Sequence, residues 1–192
     1  QLHPLAHDVE MRQSAVASSD RTRVAYVIQR FDPNAAEPSE FEYDTGIRDE
    51  LWIADSNGTN AKLLVSSGNF PQAVRNAPEA FNGGGRGCLI ERIWSPTWSH
   101  DDKLIYFQVP MWTTSAALFR VHLDDGEIEF VTDGNWFMLD DANRGCLVVQ
   151  KHKYWPVPED YKFDGDDPRP FGAYDHLWLV SENGTELRDV DA

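Results

Sequence analysis

Apolar and polar positions alternate in short runs along this chain, and the runs recur in sets of four. The clearest set lies between Ser95 and Gly134. Residues 92–98 predict a first strand, Ser99-His100-Asp101-Asp102 a turn, and residues 103–108 an apolar strand. A third strand opens at Leu118-Phe119-Arg120-Val121, a turn follows at Asp124-Asp125-Gly126, and residues 127–132 form the last strand. Alternation at period two, bounded by Asp/Gly turns, predicts antiparallel hairpins. One such meander buries too little apolar surface to stand alone.

The same grammar runs upstream and downstream. Residues 11–17 predict a strand, 18–21 a turn and 23–28 a strand. A polar stretch over 30–49 leads to a strand at 51–54, a turn at 55–58 and a strand at 61–65. After a long connection over 66–89 and the central set, a third set comprises strands at 136–139 and 146–150 around a turn at 140–145. It continues through an insertion at 151–175 to a strand at 177–180, a turn at 182–184 and a strand at 185–190. The third strands align as Leu51-Trp52, Leu118-Phe119 and Leu177-Trp178, each followed within a few residues by Asn-Gly or Asp-Gly. Repetition of a four-stranded unit at this spacing indicates a blade array. The expectation is an all-β single domain, 1–192, of three four-stranded antiparallel blade-like meanders (about 11–65, 90–132 and 136–190), that is, a partial β-propeller. No segment reads as a helix.

The pattern Ser95-Pro96, Ser99…Asp101…Lys103-Leu104-Ile105-Tyr106-Phe107 and Phe130-Val131-Thr132 resembles the TolB-type propeller repeat, a relative of WD-repeat blades. The outer sets match more loosely, and Asp102 stands where the repeat prefers Gly. The resemblance covers about three blades, nearly the whole chain. It implies a propeller fold and a periplasmic or secreted location, and says almost nothing of function. Closed propellers have typically four to eight blades, so three leave two apolar sheet faces in need of cover. A second copy completing six blades, a longer protein, or an open sandwich would each supply it; the homodimer is the expected answer.

Composition narrows the partners. A formal net charge of −15 argues against DNA or RNA, which need clustered Lys and Arg. No apolar run reaches the length of a membrane span, so no membrane insertion is expected, and the opening residues are read as carrying no signal peptide. Seven Trp, ten Phe and six Tyr suffice for a core. Cys88 and Cys146 permit one disulfide without demanding it. Asn57-Gly58-Thr59 and Asn183-Gly184-Thr185 fit the glycosylation pattern, and are read as type I′ hairpin turns.

Candidate chemistry follows from the connections. In each meander the short turns fall at one end, and the long segments 30–49, 66–89 and 151–175 at the other. Long loops on a rigid scaffold are where binding resides. Aromatic and imidazole residues that the strand pattern does not require sit there: Trp112, Trp136, His152, Tyr154, Trp155 and Tyr174. They suit a stacking platform or an interface anchor, or simply cap the sheet ends. The acidic run at 160–167 lacks the order and closing Glu of a calcium loop and reads as solvated. There is no HExxH and no GxSxG, so no catalytic residue, metal or cofactor is expected. The reading is a non-catalytic binding or scaffold module for a protein, peptide or glycan. Two alternatives stand beside it. One is a polysaccharide-acting enzyme with carboxylates among Asp140, Asp141, Glu159 and Asp160; the other is a structural self-assembly unit.

Overall fold

The computed structural model describes residues 9–11, 15–31, 47–68, 73–78, 90, 92–112, 115–154 and 173–191. They form fourteen strands in three sheets, with no helix among the described residues. The architecture is all-β, as the alternation predicts. The chain divides into two compact units, Gln1–Thr132 and Asp133–Ala192.

The first unit holds two sheets. The N-terminal sheet has the order β1 (Val9–Met11), β3 (Arg23–Phe31), β4 (Ile47–Asp55), β5 (Lys62–Ser66), and β2 (Val16–Ala17) also pairs with β3. The single first strand expected over 11–17 is thus two short strands on one edge, β1 opposite Ile28, Gln29 and Arg30, and β2 opposite Val24 and Ala25. The central sheet runs β6 (Val74–Arg75), β10 (Ile128–Asp133), β9 (Ser115–His122), β8 (Leu104–Trp112), β7 (Trp94–Trp98). Strand β6 lies inside the connection read as 66–89 and pairs parallel with β10. Two residues carry no periodicity, so no pattern announces them. What holds β6 is charge: Arg75 bonds Glu129 at 2.7 Å and Asn76 bonds it at 2.8 Å.

Several strands are longer than their apolar runs. β3 and β4 pair over nine residues each, out to Phe31↔Ile47. The backbone ladder continues wherever flanking polar side chains find partners, and here Arg30 and Arg48 both pair with Glu50.

Because side chains alternate across a strand, Leu51, Leu118 and Leu177 lie on one face of their sheets, and Trp52, Phe119 and Trp178 on the other. We call these the leucine face and the aromatic face. In the first unit the leucine face of the N-terminal sheet (Ala25, Val27, Leu51, Val65) meets the aromatic face of the central sheet (Ile105, Phe107, Val109, Phe119, Val121) in one buried cluster. Phe107 and Phe119 stack at 5.8 Å, and Phe130 meets Phe119 edge-on at 5.6 Å. Each such side chain contributes about 1.5–3 kcal/mol by leaving water.

The turns repeat atom for atom. Ser18 and Ser99 each donate from Oγ to the aspartate two residues on (Asp20 at 2.7 Å, Asp101 at 2.8 Å) and accept from the amide five residues on (Arg23 and Leu104, both 3.0 Å). The fourth turn residue is left-handed in both, Arg21 at φ 59° and Asp102 at φ 55°. The Asn-Gly turns correct one expectation. In each only the glycine has positive φ, Gly58 at 84° and Gly184 at 86°. The Gly58 amide donates to the Asp55 carbonyl and the Gly184 amide to the Ser181 carbonyl. This is a type I turn closed by a glycine bulge rather than type I′. The asparagine serves by side chain: Asn57 Oδ1 accepts from the Thr59 amide at 2.9 Å.

Candidate functional site

The second unit is a four-stranded meander, β11 (Trp136–Leu139), β12 (Cys146–Tyr154), β13 (Ala173–Ser181), β14 (Glu186–Asp189). Strands β12 and β13 run nine residues each, from Cys146↔Ser181 to Tyr154↔Ala173. His152, Tyr154 and Tyr174, expected on a loop, are therefore strand residues at the end where the long connection springs. Charge pairing carries the ladder there. Lys151 is buried, its Nζ 2.9 Å from Asp133 and in contact with Glu186. Burial works to lower its pKa, and the two carboxylates outweigh that, leaving it raised.

Trp136 is opposite Gln150, and Gln150 opposite Leu177. This rank opens a shallow depression of about 430 Å³ lined by Trp136, Gln150, Asp175, His176 and Leu177. Trp136 is 45% exposed. One rank further out, His152 pairs with Asp175. Asn135 donates to His152 Nε2 at 2.6 Å, and Asp175 Oδ1 lies 3.4 Å from the same nitrogen. His176 is buried against Asp189, with the Tyr174 ring edge-on at 5.8 Å and the Trp178 ring at 5.9 Å. Desolvation pushes the Asp189 carboxyl up; His176, the Asp191 amide and Lys153 outweigh it and hold it below its ordinary range. Asp191 accepts from the Leu177 amide at 2.8 Å and ties down the chain after β14.

Of the six residues singled out by sequence, the structure brings Trp136, His152 and Tyr174 to one end of this sheet, with Tyr154 at the same strand end by register. Trp112 belongs to the other unit. It lies within β8, in register with Ser115, rather than on a loop. Trp155 and the acidic run 160–167, with Asp160, lie outside the described residues, as does Glu159. Asp140 and Asp141 sit in the short turn at the opposite end of the four-residue β11 from Trp136, about 13 Å of strand away. Asp140 accepts from the Ala142 and Asn143 amides and the Asn143 side chain, which hold its pKa down. It works as a turn cap.

Gln150, Asp175, His176, Leu177 and Asn135 were missed. A signal for them exists: Trp94, Gln108 and Leu118 form the same Trp–Gln–Leu rank in the central sheet. There Gln108 is 5% exposed and Leu118 fully buried. His122, Asp124 and Asp125 also bring three ligand atoms within 4.8 Å of one another. Their geometry has a local cause: Asp124 and Asp125 accept from the amides of Asp125 and Glu127, and His122 faces Glu129 at 3.5 Å.

Chemically the depression offers an exposed indole, a carboxamide and a carboxylate around an open apolar floor, while the His176 ring turns to the other face of β13. That set can stack and hydrogen-bond a ligand. Among the described residues, its lining contains no hydroxyl or thiol nucleophile.

No family model matches the sequence, and no curated protein matches it. Solved structures do resemble the fold. The β-propeller domain of the Trilobed protease from Pyrococcus furiosus, described as having an open velcro topology, aligns at TM-score 0.51 and 12% identity over 93% of this chain and 42% of that one. A dipeptidyl aminopeptidase IV-type protein from Bacteroides ovatus aligns at TM-score 0.57 and 11% identity, over 94% of this chain and 26% of the other. Acylaminoacyl peptidase of Pyrococcus horikoshii aligns at TM-score 0.50 and 16% identity, over 88% and 23%. The chain thus spans less than half the length of each. At these identities the likeness is one of fold: a β-propeller architecture.

Proposed function

We propose that this chain is a non-catalytic propeller module of the TolB-like kind, periplasmic or secreted, that binds a protein, peptide or glycan on its C-terminal sheet. The observation that carries this is Trp136, 45% exposed beside Gln150, Asp175 and Leu177, over an open depression rather than an enclosed cleft. An indole left in water at the end of a sheet is a ready anchor for an apolar or sugar face. Supporting the TolB-like assignment are the matched turns at Ser18 and Ser99, built on the Ser-x-Asp element of that repeat. The carboxylates of the enzyme alternative that the structure describes, Asp140 and Asp141, stand at the other end of the sheet from the aromatic group, which favours binding over hydrolysis.

Glycan and peptide arrays, followed by titration calorimetry, test the reading. Trp136→Ala should weaken the bound ligand about tenfold or more. Trp94→Ala, at the corresponding rank of the central sheet, should leave affinity within about twofold. Affinity unchanged by Trp136→Ala would overturn the assignment of this surface.

A further inference from the structure

The first unit contains its own example of how a leucine face is covered. Ala25, Val27, Leu51 and Val65 are buried by the aromatic face of the next sheet, led by Phe107 and Phe119. The contact is pinned at the turns. The Ser19 amide donates to the Asp102 carboxylate at 2.9 and 3.1 Å, and Arg23 donates to the Asp102 carbonyl at 2.9 Å. The sheet offering its leucine face thus contributes the second turn residue, and the sheet offering its aromatic face contributes the fourth.

Two faces in the molecule expose the same elements. On the leucine face of the C-terminal sheet, Trp136 and Met138 are 45% and 47% exposed, and Leu177 and Leu179 are half-buried. On the aromatic face of the N-terminal sheet, Leu63 is 41% exposed opposite Trp52, and Tyr26 and Trp52 are half-buried. The turn residues agree. Asp141 holds the second turn position of the C-terminal sheet, where the N-terminal sheet has Ser19. Arg21 holds the fourth position of the N-terminal sheet, where the central sheet has Asp102. Both are exposed. The Ser19–Asp102 hydrogen bond is replaced at these positions by a pair of opposite charges.

We infer that the leucine face of the C-terminal sheet receives the aromatic face of the N-terminal sheet of a second copy of this chain, head to tail, with Asp141 against the partner copy's turn at Arg21. The inference rests on the reading of the C-terminal sheet as a binding surface and names its occupant. Like-with-like contacts, Trp136 face on Trp136 face, would set Asp141 against Asp141 and leave the Trp52 face in water. A head-to-tail contact either closes at a small number of copies or continues as an open chain.

Light scattering and sedimentation velocity over a concentration series test it on the whole chain. The wild-type protein should exceed the monomer mass of 21.8 kDa at micromolar concentration. Met138→Asp and Leu63→Asp should each give monomers, and their mixture should recover a 1:1 complex, because one intact face remains on each. Arg21→Glu should weaken association about tenfold, Asp141→Arg likewise, and the double reversal should restore it. All these positions are exposed, and circular dichroism with thermal melting checks that each variant folds. A wild-type monomer throughout would overturn the inference, as would an oligomer indifferent to Leu63→Asp and Arg21→Glu. A monomer that still binds a glycan or peptide through Trp136 would sink the self-docking alone and leave the binding surface standing. Loss of both self-association and ligand binding would remove both readings.

Discussion

Asp49 and Asp175 hold the same place on their strands, two residues before Leu51 and Leu177, and meet opposite fates. Asp49 is fully buried; its carboxylate accepts from the Ile93 amide at 3.1 Å and from Gln29 at 3.3 Å, and lies 3.5 Å from Arg92. Asp175 has a side chain 58% exposed, with His152 at 3.4 Å. Asp49 ties the segment entering the central sheet to the sheet before it. Asp49→Ala should therefore cost about 3–5 kcal/mol, since it strips a buried network of its acceptor. Asp175→Ala should stay within about 0.5 kcal/mol. Urea denaturation of the two variants gives the comparison, and equal costs would mean that the equivalence carries no structural weight.

The left-handed turn residues make a second pair. Arg21 and Asp102 have nearly equal φ, a conformation that costs an L-residue about 1–2 kcal/mol and glycine nothing. Arg21→Gly should raise stability by up to about 1 kcal/mol after the added flexibility of the unfolded chain. Asp102→Gly relieves the same conformation but deletes the acceptor for Ser19, so it should gain nothing or lose. Thermal melts of the two side by side decide this.

Glu129 predicts the acid limb of the stability curve. It is 4% exposed. Burial pushes its carboxyl up, but hydrogen bonds from Arg75 and Arg120 outweigh that and leave the folded pKa below the ordinary 4.5. A carboxylate depressed in the folded state contributes stability that is complete above the unfolded value and lost as pH falls through the folded one. Stability should therefore decline below about pH 4.5. Glu129→Gln should cost about 3 kcal/mol at neutral pH and flatten the decline. Denaturant midpoints measured from pH 7 to pH 3 would show an unchanged slope if Glu129 were not its source.

Gly134 is buried at the entry to β11, where an added Cβ would lie 2.3 Å from Val149 Cγ1 and 3.2 Å from the Gln150 carbonyl. Gly134→Ala should cost about 1–3 kcal/mol. Combined with Val149→Ala it should cost less than the two single changes summed, because the second change vacates the space that the first requires. Strict additivity would show that the Val149 methyl is not the obstacle.

Much of the fold was legible because its causes are local. Two-residue alternation, Ser-x-Asp turns and glycine after Asn or Asp are decided within a few residues, and every meander the pattern announces is present. What escaped is what long-range pairing decides. β6 has two residues and exists because Glu129, far along the chain, attracts Arg75 and Asn76. The strand ends at Phe31 and Tyr154 outrun their apolar runs because ladder bonds and ion pairs with Glu50, Asp133 and Glu186 do not register as hydrophobic period. The Asn-Gly dipeptide marked the turn correctly but not its type, which the closing hydrogen bonds settle.

The candidate site divides the same way. Sequence alone marked Trp136, His152 and Tyr174 as aromatic or imidazole candidates, Trp136 at the start of a strand and the other two on the long connection. Only tertiary structure decided that Gln150, Asp175 and Leu177 stand beside them, that Trp112 belongs to the other unit, and that Asp140 is a turn cap. It also decided which leucine is covered. Leu51, Leu118 and Leu177 are interchangeable in the repeat, and the first two are fully buried while Leu177 is not. Burial depends on what lies across the face, and a repeat read along one chain specifies each strand without specifying its neighbour.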